Sequence, residues 1–153
     1  MARIDDIPEP TRTAVSALPC PTFETTPFVR GVPLNKRRVA MVSSAALIKR
    51  DEKPFSIGSG EYRALPKGLS AADLLISHVS INFDRAGFQR DLNVVFPIDR
   101  LQELASDGLI GSVADTHYTV MGSTDPIMMV EMADALAAAM LADSVDAVFL
   151  LPV

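Results

Sequence analysis

One cysteine, Cys20, is too few for a disulfide within the chain or for a CxxC pair, so these 153 residues encode neither a disulfide scaffold nor a two-thiol centre. Flanked by Pro19 and Pro21, Cys20 reads as an anchoring or incidental thiol rather than a reactive one. Histidine is almost as scarce: His78 and His117 are the only two, and no Cys or third His joins them at metal-ligand spacing, so no metal site is expected. Positive charge is thin as well. The net charge is -5, and the one basic cluster, Lys36-Arg37-Arg38, reads as a solvated lead into a strand or as a contact for an acidic group. Nucleic acid, which selects concentrated positive charge, is not an expected partner. No apolar run reaches the roughly 20 residues of a membrane span, because Asp134, Asp143 and Asp146 interrupt the most apolar part, residues 127–151. The start, MARIDDIPEP, lacks the apolar core of a secretory signal, so the expected location is cytoplasmic. Ser77 beside His78 has no GxSxG around it, and Gly58-Ser59-Gly60 does not continue as GxGxxG; a serine hydrolase and a dinucleotide site lose their sequence support.

What is present is the alternation of an α/β domain. Residues 1–37 hold six of the eleven prolines and read as an extended Pro-rich arm, with the α/β domain over 38–153. From Arg38 the run VAMVSSAALI has the composition of a strand buried on both faces. DLLISH, LNVVFP and LIGSV read as further short strands, and PFSIGSGEYRALPKG, which follows the first run and precedes them, as mostly loop. Ile98, Leu101, Leu104 and Ala105 recur at helical spacing up to Gly108, which suits a C-terminal stop. Asp125 as cap and Pro126 at the first position predict a helix to about Ala142, apolar enough for burial on more than one side, against the sheet or a second subunit. Residues 144–153, SVDAVFLLPV, read as a last buried strand. The expected architecture is a three-layer domain whose mainly parallel sheet is flanked by helices.

In such sheets ligands collect at the carboxyl ends of the strands. Ser43-Ser44, Ser77-His78 and Asp115 to Tyr118 each follow an expected strand. His78 and His117 therefore read either as a proton-transfer pair near neutral pH or as locally hydrogen-bonded loop residues. Asp84, Asp91, Asn93 and Asp99 either bind a cationic amine or order turns, with Asp99 favoured at a helix start by the dipole.

The residues in order resemble a known family. SH at 77–78, FD at 83–84, DxN at 91–93, VFPIDRLxEL at 95–104, DGxIG at 107–111 and HYxxMG at 117–122 closely resemble the selenoprotein B family of glycine, sarcosine, betaine and D-proline reductases. PFSIGSGEYRALP upstream and DAVFLLPV downstream extend the likeness over residues 38–153. The resemblance implies reductive cleavage of a C–N bond with a dithiol as electron donor. A pyruvoyl-containing partner subunit would hold the small amino-acid or betaine-like substrate, and this chain would carry no cofactor of its own.

A selenocysteine or cysteine in a (U/C)xxC motif would supply the nucleophile, with the neighbouring cysteine resolving the adduct. That motif is expected directly after LLPV, where the sequence stops at Val153. A UGA codon, selenocysteine in this family, read as a stop would account for the boundary. By matching position, the resemblance offers His78 and His117 as catalytic residues, and Asp84, Asp91, Arg100 and Tyr118 as substrate-binding residues. A second reading is a non-catalytic binding or partner subunit of such a complex. A racemase-like enzyme using two cysteines is excluded by the single thiol.

Overall fold

The computed structural model describes residues 3–19, 22–24, 26–80 and 85–153. They form a mixed α/β fold on a mostly parallel sheet. Its central strand, β1 (Arg38–Ser43), is apolar on both faces because it is covered on both. The run from Val39 does not continue as one strand. Ala46 takes φ 52°, the chain turns, and β2 (Leu47–Lys49) leaves the sheet to pair antiparallel with β4 (Leu74–Ile76) as a separate two-stranded ribbon. Between them β3 (Tyr62–Pro66) runs through the segment whose Gly and Pro content suggests loop. Edge strands tolerate proline, and among the described residues β3 is an edge, paired only with β6 (Thr116–Val120), antiparallel.

β1 pairs in parallel with β5 (Ser112–Val113) and β6 along one side, and with β7 (Ala147–Leu151) along the other. Val39 and Met41 face a cluster that includes Leu65, Phe96, Ile98, Leu101 and Ile110. Ala40, on the opposite face by strand alternation, packs with Tyr118, Leu136, Met140 and Val145. Helix α3 (Ile98–Ser106) thus covers the first face and α4 (Val130–Ala142) the second.

The two long helices begin and end for local reasons. Asp125 accepts the Ile127 N–H at 3.0 Å and Pro126 opens a 3-10 turn that leads into α4. After α3, Gly108 takes φ 71° and the Leu109 N–H closes on the Leu104 carbonyl at 2.9 Å. LNVVFP, apolar enough to suggest a strand, is instead a 3-10 turn at Leu92–Val94 that follows the short helix α2 (Ala86–Arg90). The Asp91 side chain accepts the Asn93 N–H at 2.9 Å and starts that turn, a local bond that competes with sheet pairing. Within residues 1–37 the helix α1 (Thr11–Ser16) forms despite the nearby prolines, its Thr13 held by Glu9. No helix among the described residues is long and apolar enough to cross a membrane.

Candidate functional site

Because β1, β6 and β7 are parallel, their carboxyl ends share one edge, and the residues at the end of β1 bond to each segment that arrives there. The Ser43 hydroxyl, fully buried, donates to the Val95 carbonyl at 2.6 Å, which fixes the VFPID stretch below the edge. Ser44 binds three ways. Its N–H donates to the Leu151 carbonyl at 3.1 Å, its carbonyl accepts the Gly122 N–H at 3.1 Å, and its hydroxyl accepts the Val153 N–H at 2.8 Å. Two residues on, the Ala46 N–H bonds the Val120 carbonyl and its own carbonyl accepts the Ser77 N–H. Five stretches meet here: the β1 exit, SH at 77–78, VFP at 95–97, MG at 121–122 and PV at 152–153.

Glycine is required at 122. A Cβ there would lie 2.8 Å from the Ser44 carbonyl oxygen, closer than side-chain carbons sit in folded proteins. The edge around Ser44, Gly122 and Val153 stays open to solvent, with Gly122, Pro152 and Val153 exposed.

His78 belongs to this edge. It follows β4, is buried, and its Nδ1 accepts the Ser80 N–H at 3.1 Å while Arg85 donates to its carbonyl at 2.6 Å. Burial, and secondarily the Arg85 guanidinium, hold its pKa below the ordinary histidine value. The next residue, Val79, packs with Ala46, Phe55 and Met121.

His117 is placed differently from its sequence reading. It lies inside β6 rather than after a strand end, with no solvent exposure, on the face covered by α3. Its Nδ1 accepts the Met41 N–H at 3.1 Å, its ring meets Phe96 edge to face at 5.8 Å, and its Nε2 has no hydrogen-bond partner among the described residues. Burial pulls its pKa down to about 4, against a smaller opposing pull from Asp143. Tyr118, the next residue, points to the α4 side, buried against Tyr62 edge to face at 5.6 Å, and burial raises its pKa. Adjacent strand residues face opposite ways, so His117 and Tyr118 do not converge on one pocket.

The remaining sequence candidates separate. Asp91 joins Asn93 and Asp99 in an interlocked cap, in which the Asn93 side-chain amide donates to both carboxylates and its oxygen accepts the Asp99 N–H at the start of α3. Bonds from Asn93 hold the Asp91 pKa below its ordinary value. Arg100 lies on the exposed face of α3, paired with Glu103 at 2.7 Å. Asp84 and Cys20 lie outside the described residues. Asp115 is at the opposite, amino edge of the sheet. There Arg38 bonds the Asp143 carboxylate at 2.5 Å, its carbonyl at 2.7 Å, and Asp115 at 2.9 Å, while Lys67 also pairs with Asp115. That network borders an open depression of about 660 Å³ lined in part by Arg38, Lys67, Gln102, Ser106 and Ser112. Ser44 stands in sequence as a polar residue at a strand end; its bonds to the exits of β6 and β7 depend on chain pairings that sequence spacing does not carry.

Comparison with known proteins finds a family and two curated relatives. The family model for glycine/sarcosine/betaine reductase selenoprotein B matches residues 11–152. The D-proline reductase subunit gamma of Acetoanaerobium sticklandii is 31% identical over 90 residues, 58% of this chain and 36% of that protein. The glycine reductase complex component B subunit gamma of Carboxydothermus hydrogenoformans is 29% identical over 141 residues, 87% of this chain and 32% of that protein. No solved structure matches. The chain spans about a third of the length of these curated relatives. It belongs to the glycine/sarcosine/betaine reductase selenoprotein B family.

Proposed function

We propose that this chain is part of a selenoprotein B-type component of an amino-acid or betaine reductase, acting in dithiol-driven reductive cleavage of a C–N bond. The names of its relatives, subunits of D-proline and glycine reductases, support the reaction class. One structural observation carries the location of the chemistry: the Ser44 hydroxyl holds the Val153 amide at 2.8 Å, amid the segments carrying His78, Val95 and Gly122. A selenocysteine or cysteine following Val153 would sit at this solvent-open edge, where its anion can reach a substrate presented by another subunit.

A pyruvoyl-containing partner would activate the amino group of the substrate there. His78 is the candidate for proton transfer, because it lies at the same edge and burial keeps its imidazole neutral, able to accept a proton. His117 supports the sheet from beneath. Asp84, Asp91, Arg100 and Tyr118 remain candidates for contact with substrate or partner, Arg100 by the bidentate grip that guanidinium offers a carboxylate. The completed fold in this reading is a three-layer α/β domain in the cytoplasm.

Selenium analysis of the protein from its own host tests the proposal. About one selenium atom per chain, or a cysteine at that position, supports it; a selenium-free 16.4 kDa product supports a non-catalytic partner subunit instead.

A further inference from the structure

The two edges of the sheet are built differently. β3 carries Arg63 and Pro66 and is followed by Lys67, the usual protection of an edge against pairing. β7, Ala-Val-Phe-Leu-Leu, has no charge, proline or bulge along its paired length, Asp146 and Pro152 standing only at its two ends, and among the described residues it pairs only with β1. Its side chains are apolar on both faces yet open: Val148 is 45%, Phe149 41% and Leu150 68% exposed. Apolarity on both faces marks a strand with neighbours on both sides and helices above and below.

The register places Val148 and Leu150 opposite Ala40 and Val42, hence on the α4 face. α4 has the same incompleteness. It buries a stripe of Met132, Leu136, Ala139 and Met140, while Val130, Ala133, Ala137 and Leu141 face outward. A helix whose apolar residues extend beyond its core stripe, broken by Glu131 and Asp134, is suited to burial on more than one side.

Chain direction says what fits. From β1 through α3 to β6 the connection steps one way across the sheet with its helix on the Val39 and Met41 face; from β6 through α4 to β7 it steps back with its helix on the Ala40 face. Opposite steps with helices on opposite faces follow from the single handedness of parallel crossovers. A further step beyond β7 in the direction of the second crossover puts its helix on the α4 face, over Val148 and Leu150 and beside the outer flank of α4. Charge completes the description. Residues 101–153 hold eight carboxylates and no Lys or Arg, and Glu131, Asp134 and Asp146 have no ion-pair partner among the described residues.

We propose that β7 is an interior strand of a larger sheet, completed by a helix beside α4 with a Lys- or Arg-bearing rim and by a strand parallel to β7. Both come from the two thirds of the curated relatives' length that this chain does not span, an assignment that rests on the proposed function. The test compares the 153-residue chain with the product translated from the gene's own DNA past codon 153, a cysteine codon replacing any in-frame UGA. Leu150→Cys in a Cys20→Ser background is labelled with a thiol reagent in each, and modification of residue 150 is read by peptide mass spectrometry so that thiols beyond Val153 are not counted.

Labelling about 100-fold slower in the longer chain, with slowed amide exchange over residues 147–151, is the expected result. Leu150→Lys gives a second reading: tolerated in the short chain, it lowers the Tm of the longer one by about 10 °C. Equal labelling in both overturns the proposal. So does protection in the short chain that appears only with dimer formation, which assigns the edge to a second copy, and so does a gene that ends at codon 153. A covered edge in a longer chain with no selenocysteine or cysteine after Val153 defeats the proposed function alone. An open edge in one that has it defeats this proposal alone.

Discussion

His117 Nδ1 accepts the Met41 N–H at 3.1 Å where the pairing of β1 changes partner. Val39 pairs with Val113 and Val42 with Tyr118, so two residues are gained between β5 and β6, and the ladder bond that Met41 would make to a neighbouring carbonyl is taken by the imidazole. A buried donor without a partner is costly, and the ring supplies the acceptor. His117→Phe keeps the volume and removes it. Urea unfolding is expected to show a loss of about 1–3 kcal/mol. An unchanged midpoint would show that Met41 finds another acceptor.

The same burial sets a pH dependence. Folded His117 titrates at about 4 rather than its ordinary 6.5, so between those values the unfolded chain binds more protons than the native one. Its contribution is complete above about pH 6.5 and is lost as pH falls through 4, on the order of 3 kcal/mol in all. His78, also lowered by burial, acts in the same direction. Stability measured from pH 7 to 4 should fall, and His117→Gln, which can still accept from Met41, should flatten the fall. A wild-type curve level across this range contradicts the account.

At the other end of β1, Arg38 and Asp143 form a half-buried pair that ties the start of the strand to the end of α4. Bonds from Arg38 hold the Asp143 pKa below its ordinary value. Asp143→Ala strands the guanidinium next to Val113 and Asp115, and should cost about 1–3 kcal/mol by denaturant titration. Replacing exposed Glu103, the partner of Arg100, should change stability by under about 0.5 kcal/mol.

Gly122→Ala tests the close approach of the β6 exit to Ser44. The added methyl meets the Ser44 carbonyl at 2.8 Å and should force the two strand ends apart, at about 1–3 kcal/mol. Ser44→Ala removes only the hydroxyl bond to Val153, so it should leave the midpoint within about 1 kcal/mol while speeding amide exchange at Val153. Equal loss in both variants would mean that Ser44 supports the fold rather than the edge.

Features with a local cause were legible in sequence: α3 from its apolar spacing and Gly108, the start of α4 from Asp125 and Pro126, and the strands β1 and β7 from their apolar runs. The first run nevertheless breaks after Ser43, and β7, read as buried, is largely exposed. Those set by distant pairing were not. β6, Thr-His-Tyr-Thr-Val, carries polar groups that suggest a loop, yet His117 and Thr119 are fully buried because each accepts a backbone N–H, from Met41 and Leu47. β3 hides among glycines and prolines because an edge strand does not need every N–H. At the candidate site, His78 and Ser44 fall at strand ends as their positions suggest. His117 and Tyr118, neighbours in sequence, are divided between the two faces of the sheet by strand alternation, which short polar spacing cannot show.

The most direct measurement is an assay of dithiol-dependent reduction of glycine, sarcosine, betaine and D-proline, run with partner subunits from the same host. It compares the host-made protein, with its intact mass and selenium content, against the isolated 153-residue chain. The account predicts turnover only for a host protein heavier than 16.4 kDa, with selenocysteine or cysteine directly after Val153, and none for the 153-residue chain. Turnover by the 153-residue chain, or an active host protein lacking such a residue, would contradict it.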